Sequence, residues 1–139
     1  MRRYRKTGFT LIELLLVVVI IGILAAIVVP KLAGKTEDAR QGGTIGQMKI
    51  IQDALARFEL DNGKYPSQDQ GLLALIELPT AAPVPKKWTK YLEGREIPKD
   101  GWGNEFEYRN PGQVNTDGYD LVSAGPDGQS GNDDDIIKP

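Results

Sequence analysis

Phe9 to Val29 reads FTLIELLLVVVIIGILAAIVV, 21 residues with a single charge, Glu13. Coiled as an α-helix at about 1.5 Å per residue, this stretch reaches roughly 32 Å. A bilayer's hydrocarbon core is about 30 Å thick. The run is too long for the central helix of a small domain, so it reads as a membrane span. Upstream, MRRYRKTG carries Arg2, Arg3, Arg5 and Lys6 and no acid. Positive charge stays on the cytoplasmic side of a span. Residues 1–8 are therefore expected in the cytoplasm, with everything after Val29 exported. A secretory signal has a shorter apolar core followed by a small-residue cleavage site. Here Ala25 and Ala26 lie inside the run, and Pro30-Lys31 follow it.

The chain has 139 residues, 17 basic and 19 acidic, with a formal net charge of -2. It contains no Cys and no His. Those absences exclude a disulfide framework, Cys or His metal ligands, and Ser-His-Asp or Cys-His nucleophilic sites. The weakly acidic total lacks the basic excess of a nucleic-acid binder. That total averages unlike parts. Without the four leader cations the chain is clearly acidic, and six of its acids fall between Asp117 and Asp135.

Glu13 is the anomaly of the span. An acid at a bilayer centre costs about 2.5–3.5 kcal/mol on insertion scales. Two readings are open: the group stays protonated near the interface, or it meets a cation from another chain. Cutting between Gly8 and Phe9 would create such a cation, the α-amine of Phe9. Between staggered chains, the amine of one could meet the carboxylate of the next and specify register. Gly8-Phe9-Thr10-Leu11-Ile12-Glu13 resembles the processing signature of type IV pilin-like proteins. The resemblance implies cleavage after Gly8 by a membrane prepilin peptidase and N-methylation of Phe9. It also implies an assembly-determining role for Glu13, and a kink at Pro30 in a long N-terminal helix.

Pro30 removes a backbone donor and kinks or interrupts a helix. Gly34, Gly42, Gly43 and Gly46 each cost about 1 kcal/mol in a helix interior. Residues 30–46 are therefore expected to be a weak helix. Ile45, Met48, Ile51, Leu55 and Phe58 then repeat at three or four residues, one amphipathic face that reads as core. Asp61-Asn62-Gly63 stops the helix, and Pro66 prevents its resumption. Ser67 with Gln70 forms a candidate capping box for a short helix over 71–77. Pro79, Pro83 and Pro85 stiffen residues 79–86. Lys86, Lys87 and Lys90 beside Trp88 and Tyr91 could form a nucleic-acid platform. Nearby Glu77, Glu93, Glu96 and Asp100 favour a solvated surface with anchored aromatics instead.

Two strands are expected, around Phe106 and Tyr108 and around Tyr119, Leu121 and Ser123, separated by turn chemistry at Asn110-Pro111-Gly112 and Asp117-Gly118. The fold class is α+β: a long N-terminal transmembrane helix packed on a small antiparallel sheet. Its expected parts are a cytoplasmic leader at 1–8, a membrane and assembly helix at 9–29, and a periplasmic domain at 30–139.

Residues 125–135 read GPDGQSGNDDD. Glycines permit the positive φ values that curl a loop, which would return Asp127 toward Asp133, Asp134 and Asp135. Crowded carboxylates repel unless a cation sits among them. Oxygen-only ligands select a hard ion, and Ca²⁺ suits irregular sites better than Mg²⁺. The spacing is not that of an EF-hand. Neighbouring aspartates in an extended chain point oppositely, so backbone carbonyls must complete the shell. An acidic, solvated tail is the alternative.

Further segments resemble the major pseudopilin family of bacterial type II secretion systems. They are Asp61-Asn62-Gly63-Lys64-Tyr65-Pro66, Gln70-Gly71-Leu72 through Leu75, Gly101-Trp102-Gly103-Asn104, Tyr108-Arg109-Asn110-Pro111-Gly112 and Ser123-Ala124-Gly125-Pro126-Asp127-Gly128. The resemblance spans nearly the whole chain, in order. It implies a calcium loop with Asp127, Asp134 and Asp135 as side-chain ligands and Ala124 as a carbonyl donor. Leu121, Ser123 and Asp133 are further candidates, and which two of the three consecutive aspartates bind stays open. It implies a pilin-like fold and a major subunit that polymerises into a periplasmic pseudopilus. That filament drives export of folded proteins across the outer membrane. The implied partners are further copies, minor pseudopilins, the inner-membrane secretion platform, the prepilin peptidase and the inner membrane itself, and no nucleic acid. No catalysis by the chain is implied, and without a GxxxxGK[ST] loop the energy must come from a cytoplasmic ATPase. The nearest alternative is a type IV pilin of a surface fibre for adhesion, motility or DNA uptake. Such pilins often close their C-terminus with a disulfide, which this chain cannot form. A membrane-anchored hydrolase using Asp127 with Asp133–Asp135 would need paired carboxylates about 5–9.5 Å apart and a substrate cleft that nothing in the sequence suggests.

Overall fold

The computed structural model describes residues 8–138, with the backbone alone at 30–33. The expected leader, up to Thr7, lies outside the described residues. Helix α1 spans Leu11–Asn62, a 3-10 turn spans Leu72–Leu75, and three strands follow: β1 Glu107–Arg109, β2 Asp120–Ser123 and β3 Ile136–Lys138. The chain forms two compact units, one ending at Asp38 and one beginning at Ala39.

The first unit is the N-terminal part of α1. Its described large apolar side chains are all exposed, from 46% at Val17 to 83% at Leu11. Burying such a side chain is worth about 1.5–3 kcal/mol, so this rod requires apolar surroundings. By length and composition the helix can cross a membrane. The expected weak stretch at 30–46 is helical throughout; the Pro30 side chain lies outside the described residues.

The second unit has its own core. Met48, Ile51, Ala54, Leu55 and Phe58 are buried at helical spacing on α1. They cluster with Leu72, Ala74 and Leu75 of the 3-10 turn, with Tyr91 and Leu92, and with Phe106, Tyr108, Tyr119 and Leu121 of the sheet region. The expected stripe is correct except at its start. Ile45 is 42% exposed, and Thr44 is fully buried instead. Phe58 tilts against Tyr91 at 5.2 Å, and Tyr119 lies 4.7 Å from Tyr65 and 5.7 Å from Tyr108. The Trp88 indole donates to the Ala74 carbonyl at 2.8 Å, so both aromatics of the lysine-rich stretch are anchored in the domain.

α1 ends where expected. Gly63 takes φ 75° and its amide donates to Glu59 at 2.6 Å. Ser67 and Gln70 do form a reciprocal box, at 2.9 and 3.3 Å. It closes the turn at 67–70, not a helix over 71–77, because Gly71 leaves helical geometry at φ 56°. The Gln70 amide instead donates to Ala81 and Pro83, at 2.8 and 2.9 Å, fastening the proline-rich loop.

The sheet is antiparallel in the order β1-β2-β3, with Tyr108 opposite Leu121 and Leu121 opposite Lys138. β3 was not among the expected strands. At the outer edge of β1, the Gln68 amide donates to the Tyr108 carbonyl at 2.9 Å and accepts from the Asn110 amide at 2.8 Å. β2 is buried at every position. Its Asp120 faces inward and accepts three loop amides, from Gln113, Val114 and Asn115, at 2.6–2.9 Å. Burial works to raise this carboxyl, but those amides and the nearby Arg109 hold it below its ordinary value.

Candidate functional sites

The processing segment precedes α1. Gly8 and Phe9 lie outside the helix and exposed, Phe9 at 79%. Thr10 caps the helix. The Glu13 amide donates to the Thr10 hydroxyl at 3.3 Å, while the Thr10 amide and hydroxyl donate to Glu13 Oε2 at 3.4 and 3.3 Å. This is a capping box, Thr-x-x-Glu, in which two residues satisfy each other's free donors. The carboxylate also lies at the positive end of the helix dipole. The Thr-x-x-Glu spacing at residues 10 and 13 is the sequence signal of this box.

The terminal loop leaves β2 at Ser123. Ala124 and Gly125 are buried, and Pro126 to Asp133 are exposed. Gly125 takes φ 62°, and a Cβ there would come within 2.5 Å of the Asp134 carbonyl and 3.0 Å of Asp134 Oδ2. The loop therefore curls back, and Asp134 lies against its first residue. Asp127 accepts from the Gln129 amide and from Asn132 Nδ2, both at 2.8 Å. Asp135 Oδ2 accepts from the Gly131 amide at 2.7 Å. Asp135 Oδ1 is buried and has no hydrogen-bond partner. Asp134 and Asp135 are half-buried, whereas Asp133 is exposed. Among the described residues no three acidic side chains converge on one point. Leu121 lies on β2, paired on both sides, and Ser123 ends that strand, paired with β3 alone.

The donor chemistry fits a hard cation. All the candidate side-chain donors are oxygens, and one carboxylate oxygen, Asp135 Oδ1, is buried and unpartnered. A buried polar atom without a partner costs about 1–3 kcal/mol, which a cation would offset. Outside the loop, Glu107 and Arg109 form a forked pair at 2.7 and 2.9 Å. The Arg109 bond, with help from the Ser130 hydroxyl and against the effect of burial, holds the Glu107 carboxyl below its ordinary value.

Two residues lie at the base of this loop, one read from sequence as part of a solvated surface and the other only as part of a family-like segment. Asp100 is buried and accepts the Ser123 hydroxyl at 2.7 Å. Asn104 donates to the Gly125 carbonyl at 2.9 Å. Neither alternates or clusters in a way that marks it as part of the loop's base.

Comparison with known proteins bears on both regions. The family described as "Type II secretion system (T2SS), protein G" matches residues 31–138, and the "Prokaryotic N-terminal methylation motif" matches residues 3–29. The chain is 43% identical over 136 residues to the type II secretion system core protein G of Aeromonas hydrophila, covering 98% of this chain and 94% of that protein. It is 46% identical to the core protein G of Pseudomonas aeruginosa, covering 96% and 93%. The crystal structure of the major pseudopilin of enterohaemorrhagic Escherichia coli superposes with a TM-score of 0.67 at 35% identity, covering 79% of this chain and 95% of that one. The helix, the three-stranded sheet and the N-terminal motif thus agree with sequence similarity along the chain, which belongs to the protein G family of the type II secretion system, the family of its major pseudopilin.

Proposed function

We propose that the chain is made with a leader at 1–8, stored in the inner membrane, and polymerised into a periplasmic pseudopilus that drives folded proteins across the outer membrane. The observation that carries this reading is the exposed apolar rod from Phe9 to Val29, joined in sequence to a domain with a complete core of its own. Such a rod is stable in lipid, or packed among copies of itself. Extraction from lipid into a bundle of rods keeps its apolar surface out of water at both ends of the process.

Each residue has a role in that cycle. Gly8 and Phe9 supply the exposed bond cut by the prepilin peptidase, and Phe9 then carries the methylated amine. Glu13 pairs with the Phe9 amine of an adjacent copy, and Pro30 marks the bend that lets rods pack. Minor pseudopilins and the inner-membrane platform are the remaining partners. The chain performs no catalysis and draws its movement from a cytoplasmic ATPase.

Calcium is the proposed ion of the terminal loop. Asp127, Asp134 and Asp135 would hold it with the Ala124 carbonyl, and Leu121, Ser123 and Asp133 are the alternates. When bound, it neutralises the acidic loop and ties its two ends together. The burial of Asp135 Oδ1 and the position of Asp134 against Gly125 support Asp134 and Asp135 as the pair, over the exposed Asp133.

Removing the gene tests the role. Secreted proteins should accumulate in the periplasm while surface fibres stay normal; lost surface fibres with intact secretion would point to a pilin instead. Mass spectrometry of the mature chain should show a methylated Phe9 terminus, and an intact Met1 in cells with an active peptidase would contradict the processing.

A further inference from the structure

Asp100 is only 6% exposed, and both its oxygens are engaged. Oδ1 accepts the amides of Trp102 and Asn104 at 3.0 and 2.8 Å, and Oδ2 accepts the Ser123 hydroxyl at 2.7 Å. Asn104 extends the chain of bonds through Nδ2 to the Gly125 carbonyl at 2.9 Å. A Cβ on Gly128 would lie 3.3 Å from Asn104 Oδ1, so the loop rests on this side chain at two points. In the other direction, the Gly101 amide donates to the Thr44 hydroxyl at 2.8 Å, and that hydroxyl donates to the Arg40 carbonyl at 2.9 Å. A Cβ on Gly101 would collide with the Arg40 backbone. Residues 100–104 thus join the first turn of the terminal loop to α1.

A buried carboxylate is costly unless it is fully hydrogen-bonded. An apolar residue at 100 would fill the same space without that cost, but it could not fix the amides at 102 and 104 or the hydroxyl at 123. Groups that orient ligands without touching the metal commonly change its affinity by about 10–100-fold when removed. We propose that Asp100 and Asn104 are positioning residues for the terminal ion site, and that they transmit its occupancy to residues 40–48 of α1. This rests on the calcium reading above. Linkage makes the effect mutual: order in that part of α1 strengthens ion binding. The ion loop and residues 40–48 of α1 then respond as one unit.

The test uses the full chain in detergent micelles, stripped with EGTA and titrated with CaCl₂ by calorimetry, with hydrogen exchange read by mass spectrometry. In the wild type, calcium should slow exchange both at 121–135 and at 40–48. Asn104→Ala should raise the calcium Kd about 10–100-fold and abolish the calcium-dependent protection at 40–48, leaving metal-free exchange at 51–58 unchanged. Thr44→Val should keep the protection of the loop and lose that at 40–48. Should Asn104→Ala not fold, Ser123→Ala, which retains every backbone carbonyl, carries the same expectation. Calcium binding with unaltered Kd in the variant, or a wild-type response confined to the loop, would overturn the proposal alone. No binding in the wild type would overturn the ion reading, and this proposal with it.

Discussion

Glu13 has two claims on its carboxylate. In the single chain it bonds Thr10 and finishes the first turn of α1; in the proposed filament it would pair with a neighbour's amine. Glutamine separates the two. It can replace Glu in a capping box, but it carries no charge. Glu13→Gln should therefore keep the helix start, by circular dichroism in micelles, and fail to yield filaments. Glu13→Ala should also fail to yield filaments, and it should weaken the helix start, where only the bond from the residue 13 amide to the Thr10 hydroxyl would remain. Filaments from Glu13→Gln in normal yield would remove the charge-pair role. The sequence exposed the charge of Glu13 readily, because nothing else in the span is charged. It hid Asp100 and Asp120, because a buried acid looks like any surface acid until its donors are known. The donors of Asp120 are backbone amides, which every residue except proline possesses.

At the scale of elements, the packed face of α1 begins one position earlier than its apolar pattern. Thr44 is inside because its hydroxyl has two partners, and Ile45 is left outside. Met48→Ala should cost about 2–5 kcal/mol in urea unfolding. Ile45→Ala should change stability by less than about 0.5 kcal/mol. Equal losses would restore Ile45 to the core. The helix, its stop at Asn62 and the first two strands were legible, since periodicity and turn residues act locally. The third strand was not. Ile136 to Lys138 is too short to alternate visibly, and only pairing with β2 makes it a strand. The 3-10 turn falls short of the expected helix: the box at Ser67 and Gln70 is real, but Gly71 takes φ 56°, a freedom that glycine permits without requiring, and the helix breaks there.

At the scale of the whole molecule, all four described tyrosines share one electrostatic bias. A bond to Glu59, then burial, pushes the Tyr65 phenol up to about 12. Burial is the leading cause of the upward shifts at Tyr91, Tyr108 and Tyr119. A raised folded value means that the neutral form is favoured in the fold. The associated stability is complete below the unfolded value of about 10 and declines as pH climbs through the folded values. Chemical unfolding midpoints should therefore hold steady to about pH 10 and fall toward pH 12. Phenolate absorbance should lag behind that of free tyrosine. A midpoint independent of pH across that window would contradict the shifts.

The side-chain amide of Gln68 on β1 has a consequence at the same scale. Open sheet edges invite strand-on-strand growth between copies, a hazard for a protein crowded at high density before use. By occupying the Tyr108 carbonyl and the Asn110 amide, Gln68 closes that route from within the chain. The opposite edge is only three residues long and ends on Lys138. Edge pairing is thus disfavoured, while the exposed apolar rods remain available for joining copies. A store of subunits is thereby protected from fusing edge to edge into a ribbon.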